Sequence, residues 1–99
     1  MPAKSLIVLG STGSIGRQAL EVIEDPKSQV DADVIGLASA GSNLDLFIEQ
    51  ALRYPKAKLA VFSPEAAEQI STQLNRSVLA GIDGVSELAR TGGDTVLNG

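Results

Sequence analysis

The apolar residues of this chain change their spacing again and again, from short continuous runs to helical intervals and back. SLIVL, residues 5–9, is a continuous apolar run of the kind found in a strand covered on both faces. Over residues 14–24, Ile15, Ala19, Leu20, Val22 and Ile23 then fall close to one helical face, and Pro26 stands just past the end. DVIGLAS, residues 33–39, reads as a second buried strand. Residues 43–54 place Leu44, Phe47, Ile48, Ala51 and Leu52 at i, i+3, i+4, i+7 and i+8, which is an amphipathic helix. Ser42 is its expected cap, Asp45 sits near its positive end, and Pro55 stops it. KLAVF at 58–62 is a third strand. Ser63 caps the next helix, with Pro64 at its first position and Glu65 beside it, running to Leu74. SVLA at 77–80 reads as a short fourth strand. Asp83 is the expected cap of a last helix through Arg90, closed by Gly92 and Gly93, and DTVLNG at 94–99 begins one more strand. Such alternation with short connections predicts an α/β fold: an open parallel sheet of about five strands, helices on both faces, the last strand beside the first.

The first connection carries a glycine triplet. In LGSTGSIG, Gly10, Gly13 and Gly16 are spaced by three and lie between the first strand and the first helix. A plain tight turn would also use permissive residues. The context points further, because the triplet follows a buried strand and opens a helix within the first βαβ unit, as in Rossmann-like folds. Gly10 and Gly13 let the backbone turn sharply and approach a ligand, and Gly16 lets the helix pack closely on the sheet. Backbone N–H groups of about residues 12–15 would then face an anion at the positive end of the helix. The hydroxyls of Ser11, Thr12 and Ser14 add donors. A pyrophosphate is the expected guest. A triphosphate loop needs Gly-Lys-Ser/Thr after its glycines, and Ile15-Gly16-Arg17 stands there instead.

NAD sites usually place an Asp or Glu at the end of the second strand, about 20 residues beyond the glycines, to accept from the ribose hydroxyls. This chain has LASAGSN at 37–43, without an acid; Asp31 and Asp33 lie at the other end of the strand. Gly41, Ser42 and Asn43 offer small donors at a second helix N-terminus, a place for the 2′-phosphate of NADP as well as for ordinary caps.

Composition removes several functions. With no cysteine and no histidine the chain has no disulfide, no thiolate metal site and no imidazole base. Twelve acids stand against eight bases, with no basic stripe and three aromatic residues (Phe47, Tyr54, Phe62), so nucleic acid is not an expected partner. No apolar run is long enough to cross a bilayer, and a cytoplasmic setting is expected. Glu21, Glu24 and Asp25 cluster late in the first helix as a solvated face, and the other acids sit singly. No catalytic residue and no metal ligand is assigned.

VLGSTGSIGRQALEVI, residues 8–23, closely resembles the N-terminal segment of the 1-deoxy-D-xylulose 5-phosphate reductoisomerase family. The resemblance continues through residues 34–70, 78–89 and 94–99. It implies an enzyme that rearranges deoxyxylulose phosphate and reduces the product with NADPH to methylerythritol phosphate, in non-mevalonate isoprenoid synthesis. It further implies a homodimer that uses a divalent metal, Mg²⁺ or Mn²⁺. On this resemblance Thr12, Gly13, Ser14 and Ile15 line the NADPH pyrophosphate, and Gly41, Ser42 and Asn43 lie near the adenosine 2′-phosphate. Ser42 stands where many relatives carry Lys or Arg. The family's Asn-Lys-Glu-Ser loop, acidic metal ligands and substrate-phosphate site would follow Gly99. The expectation is therefore a partial, truncated NADPH-binding domain over residues 1–99. The catalytic and C-terminal domains would be absent, with no turnover of its own and a sheet edge open to self-association.

Two other readings fit the opening motif: the cofactor domain of another NADP-dependent reductase or semialdehyde dehydrogenase, and a non-catalytic nucleotide-binding module. Tyr54 and Lys58 have the formal spacing of a reductase Tyr-x-x-x-Lys pair, but Pro55 breaks any helix between them.

Overall fold

A computed structural model describes residues 4–28, 32–40, 43–90 and 95–98. Five strands alternate with four helices: β1 (Lys4–Leu9), α1 (Ser14–Glu24), β2 (Ala32–Ser39), α2 (Leu44–Arg53), β3 (Lys58–Val61), α3 (Pro64–Leu74), β4 (Val78–Ala80), α4 (Gly81–Ala89) and β5 (Thr95–Asn98). All neighbouring strands are parallel, in the order β4-β3-β2-β1-β5. The chain steps outward from β1 to β4, then crosses back to lay β5 on the other side of β1. Strand order therefore reverses between β1 and β5, and ligands of such sheets bind beyond the strand C-termini at that point.

The two faces of the sheet are built differently. On one, Val8, Leu37, Leu59 and Val61 meet Leu20 of α1, Phe47 and Ala51 of α2, and Ala66, Ala67 and Ile70 of α3. On the other, Ile7, Ala38 and Ala60 meet Leu88 of α4. Small residues let α4 come close: a Cβ on Gly36 would lie 3.0 Å from the Leu88 side chain, and one on Gly84 would lie 3.0 Å from the Leu79 backbone. The β1–β2 register slips between Leu6 and Ile7, which pair with Val34 and Gly36, so Ile35 is the extra residue of a bulge. That slip turns both Ile35 and Gly36 toward α4.

Several boundaries differ from the sequence reading, each for a local reason. Asn43, not Ser42, is the cap of α2; its side chain accepts from the Leu46 N–H at 3.3 Å. Asp83 is not the cap of α4, which begins two residues earlier behind Ala80 and enters through Gly81 at φ 76°. The carboxylate of Asp83 instead lies in the first turn, where the helix field favours it. Leu52 is not in the apolar stripe of α2. It is 65% exposed, and the polar Gln50 is buried in its stead. Gly92 and Gly93 lie outside the described residues.

Polar bonds tie the far ends of the helices. Arg53 bridges Glu24 of α1 and Glu49 of its own helix, both at 2.8 Å. Tyr54 donates its hydroxyl to Glu24 at 2.8 Å, and partial burial together with that bond pushes its phenol well above the ordinary value. Arg76 donates to the carbonyls of Ala51, Tyr54 and Ala57, capping the C-terminus of α2 with a cation.

Candidate anion and dinucleotide site

The β1–α1 turn meets two separate demands for glycine. Gly10 has φ 76°, a left-handed conformation that costs an L-residue about 1–2 kcal/mol. Gly16 has no room for a side chain, because a Cβ there would stand 2.3 Å from the Gly10 carbonyl oxygen and 2.8 Å from Ser11 Cα. The sequence reading had Gly16 ease the helix onto the sheet; its close contact is with the turn itself. Gly13 is the N-cap of α1, in extended conformation.

The turn is braced from behind. The Gly10 and Ser11 amides donate to the Ala38 carbonyl of β2 at 2.8 and 2.9 Å, and the Gly13 amide donates to the Gly10 carbonyl at 3.0 Å. Thr12 Oγ1 and Ser39 Oγ are 2.9 Å apart, which locks the Thr12 side chain to the end of β2. Gln50 Nε2 of α2 donates to the Ser11 carbonyl at 2.8 Å.

Its front is left open. The first intrahelical bond of α1 runs from the Arg17 amide to the Gly13 carbonyl, so the amides of Ser14, Ile15 and Gly16 have no acceptor within the helix. No side chain caps α1, and no acid occupies its first turn. Ser14 and Ile15 are exposed, Ile15 at 57%, an apolar side chain the sequence reading placed in the core. Of the four amides expected to face an anion, Gly13 is already spent inside the turn, while Thr12, Ser14 and Ile15 remain. An anion here would meet donors and the positive end of a helix whose first turn carries no acid.

Asn43 sits four residues beyond the end of β2, on the same sheet edge as Gly10. Its side-chain oxygen is engaged with Leu46, and Asp45 lies in the first turn of α2. This second N-terminus is thus a poorer anion site than the first. Gly41 and Ser42 lie outside the described residues. At the C-terminal ends of β1 and β2, on the face that α4 covers, a cleft of about 300 Å³ is lined by Leu9, Gly10, Ala38, Ser39, Ala40, Phe62 and Val85. Sequence reasoning did not assign Phe62, Ser39 or Gln50 to this edge.

Tyr54 and Lys58 form no catalytic pair. Tyr54 ends α2 and is bound to Glu24, while Lys58 opens β3. Among the described residues no three acidic side chains come together as a metal site, and no helix is long and apolar enough to cross a membrane.

The sequence model of the 1-deoxy-D-xylulose 5-phosphate reductoisomerase family matches residues 6–99. The chain belongs to that family. A reductoisomerase of Corynebacterium glutamicum is 44% identical over 98 residues, covering 96% of this chain and 24% of that protein. One of Corynebacterium diphtheriae is 42% identical over 99 residues, covering 97% and 25%. Among solved structures, the Zymomonas mobilis reductoisomerase in complex with NADPH superimposes with a TM-score of 0.79 at 29% identity, over 97% of this chain and 25% of that one. A reductoisomerase bound to NADPH, fosmidomycin and magnesium gives 0.80 at 28% identity, over 94% and 23%. The chain therefore spans about a quarter of the length of the reductoisomerases it matches.

Proposed function

We propose that this chain is the NADPH-binding portion of a 1-deoxy-D-xylulose 5-phosphate reductoisomerase, and that the β1–α1 turn receives the coenzyme's pyrophosphate. The observation that carries the reading is the set of unspent amides on Thr12, Ser14 and Ile15, at a helix start with neither cap nor acid. Gly10 and Gly13 keep side chains out of the approach. Gly41, Ser42 and Asn43 lie toward the adenosine 2′-phosphate. The cleft beside Phe62 borders Gly10 and Ser39 at the same sheet edge, on the side that α4 covers.

In the whole enzyme, deoxyxylulose phosphate is rearranged and the product reduced to methylerythritol phosphate, with bound NADPH supplying the hydride. This chain's contribution is to hold the coenzyme by its phosphates and fix its direction across the sheet edge. No described residue is assigned to proton transfer. The described residues also gather no ligand set for the divalent metal. The whole enzyme is a homodimer. In this chain β5 pairs with β1 on one side, and among the described residues nothing pairs with its other side. The chain alone self-associates through that edge.

Calorimetric titration with NADPH, NADH and ATP tests the reading. NADPH is expected to bind, NADH more weakly and ATP least, with no NADPH oxidation when deoxyxylulose phosphate and Mg²⁺ are added. A preference for ATP, or no binding of either dinucleotide, would overturn it.

A further inference from the structure

Gln50 is the one polar residue that α2 buries, at 2% exposure, amid Phe47 and Ala51. Burying a primary amide is costly unless its hydrogen bonds are made. Gln50 makes one, from Nε2 to the Ser11 carbonyl oxygen at 2.8 Å. Its Oε1 and the hydroxyl of Ser11, both buried, have no hydrogen-bond partner among the described residues. A leucine or methionine would fill the same place without burying an unpaired amide oxygen, but would leave the Ser11 carbonyl without this donor, so the bond to Ser11 is what the glutamine adds.

The geometry of the peptide group shows what the bond does. The Ser11 carbonyl and the Thr12 N–H belong to one planar trans peptide, in which C=O and N–H point in opposite directions. Gln50 draws that carbonyl inward, toward α2. The Thr12 N–H is thereby aimed outward, away from the core, and it has no acceptor in the turn. The Gly13 amide bond to the Gly10 carbonyl closes a turn around the Ser11–Thr12 peptide, and in such a turn the central peptide can face either way unless something selects one. The Thr12 hydroxyl bond to Ser39 fixes the side chain of the next residue, but not the plane of the peptide before it.

We infer that Gln50 is a positioning residue for coenzyme binding: from α2 it sets the Ser11–Thr12 peptide so that the Thr12 N–H donates to the pyrophosphate. The inference rests on the proposed NADPH reading and extends it to a residue buried beneath the site. It also ties the two phosphate positions together, because the helix that holds the turn through Gln50 begins at Asn43.

The test compares the full chain with Gln50→Met and Gln50→Leu, titrated by NMR with NADPH, NADH and adenosine 2′-monophosphate. Both variants keep roughly the side-chain volume and carry no donor at any pH. NADPH and NADH, which share the pyrophosphate, are expected to weaken by the same factor, about tenfold. Adenosine 2′-monophosphate, which lacks it, is expected to bind as before. A general loosening of the fold would weaken all three ligands alike, and that result, or unchanged NADPH affinity in a variant, overturns the inference. Should neither variant fold, the wild-type chain decides. Its Thr12 amide proton is expected to move downfield with those of Ser14 and Ile15 on adding NADPH, and an unmoved Thr12 amide overturns the inference. Failure of wild type to bind NADPH would strike the parent reading instead, which keeps the two apart.

Discussion

The N-termini of α1 and α3 point from the same edge of the same sheet, yet they are finished in opposite ways. At α3, Ser63 accepts from the Ala66 amide at 3.2 Å, Pro64 removes an amide that would have had no partner, and Glu65 answers the helix field. The helix is closed by its own sequence. At α1 the cap is a glycine, the first turn holds no acid, and the amides of Ser14, Ile15 and Gly16 are unspent. A helix that stabilises its own start has little to offer an anion. One that forgoes this stabilisation, while being braced from behind by β2 and α2, is a site held ready. α2 is intermediate, capped by Asn43 and carrying Asp45.

This contrast can be broken most severely at Gly16. Gly16→Ala puts a methyl group against backbone that cannot yield, and is expected to cost about 3 kcal/mol by urea denaturation, with NADPH binding lost. Next is Ser14→Asp, which gives α1 the acid that α3 already has. It is expected to raise stability by about 0.5 kcal/mol while weakening NADPH at least about tenfold, opposite signs that a plain structural turn would not produce. Ser63→Ala at the closed helix is expected to do the reverse, losing about 1 kcal/mol of stability with NADPH affinity unchanged in calorimetry. The smallest effect is at α2. Asp45→Asn removes a carboxylate near the proposed 2′-phosphate position and is expected to tighten NADPH by about twofold to threefold with NADH unaffected, a change of about 0.5 kcal/mol.

How much the sequence disclosed follows the same contrast. Strand and helix order, the parallel sheet and the place of the last strand beside the first could be read because apolar spacing and Pro and Gly stops act locally. Ser63, Pro64 and Glu65 announced their helix start because a cap is made by neighbours in sequence. The Gly10 and Gly16 constraints were legible as a motif, though the reason for Gly16, contact with the Gly10 carbonyl, needed coordinates. The supports of the site were not legible. Gln50 reaches Ser11 across 39 residues, and Thr12 meets Ser39 across 27. Apolar counting chose Leu52 for the buried face because it scores side chains by type. A glutamine between Phe47 and Ala51 on the same face was the available signal, and a polar residue in an apolar stripe can be found that way. Ile15 misled for the converse reason: it is apolar at a helical interval, yet it stands exposed at the mouth of the turn.

A crystal structure of this chain with NADPH tests the central claim most directly. Pyrophosphate oxygens are expected about 2.9 Å from the backbone nitrogens of Ser14 and Ile15, with the adenosine end directed toward Asn43. A pyrophosphate bound elsewhere, with those amides facing only solvent, would contradict the account.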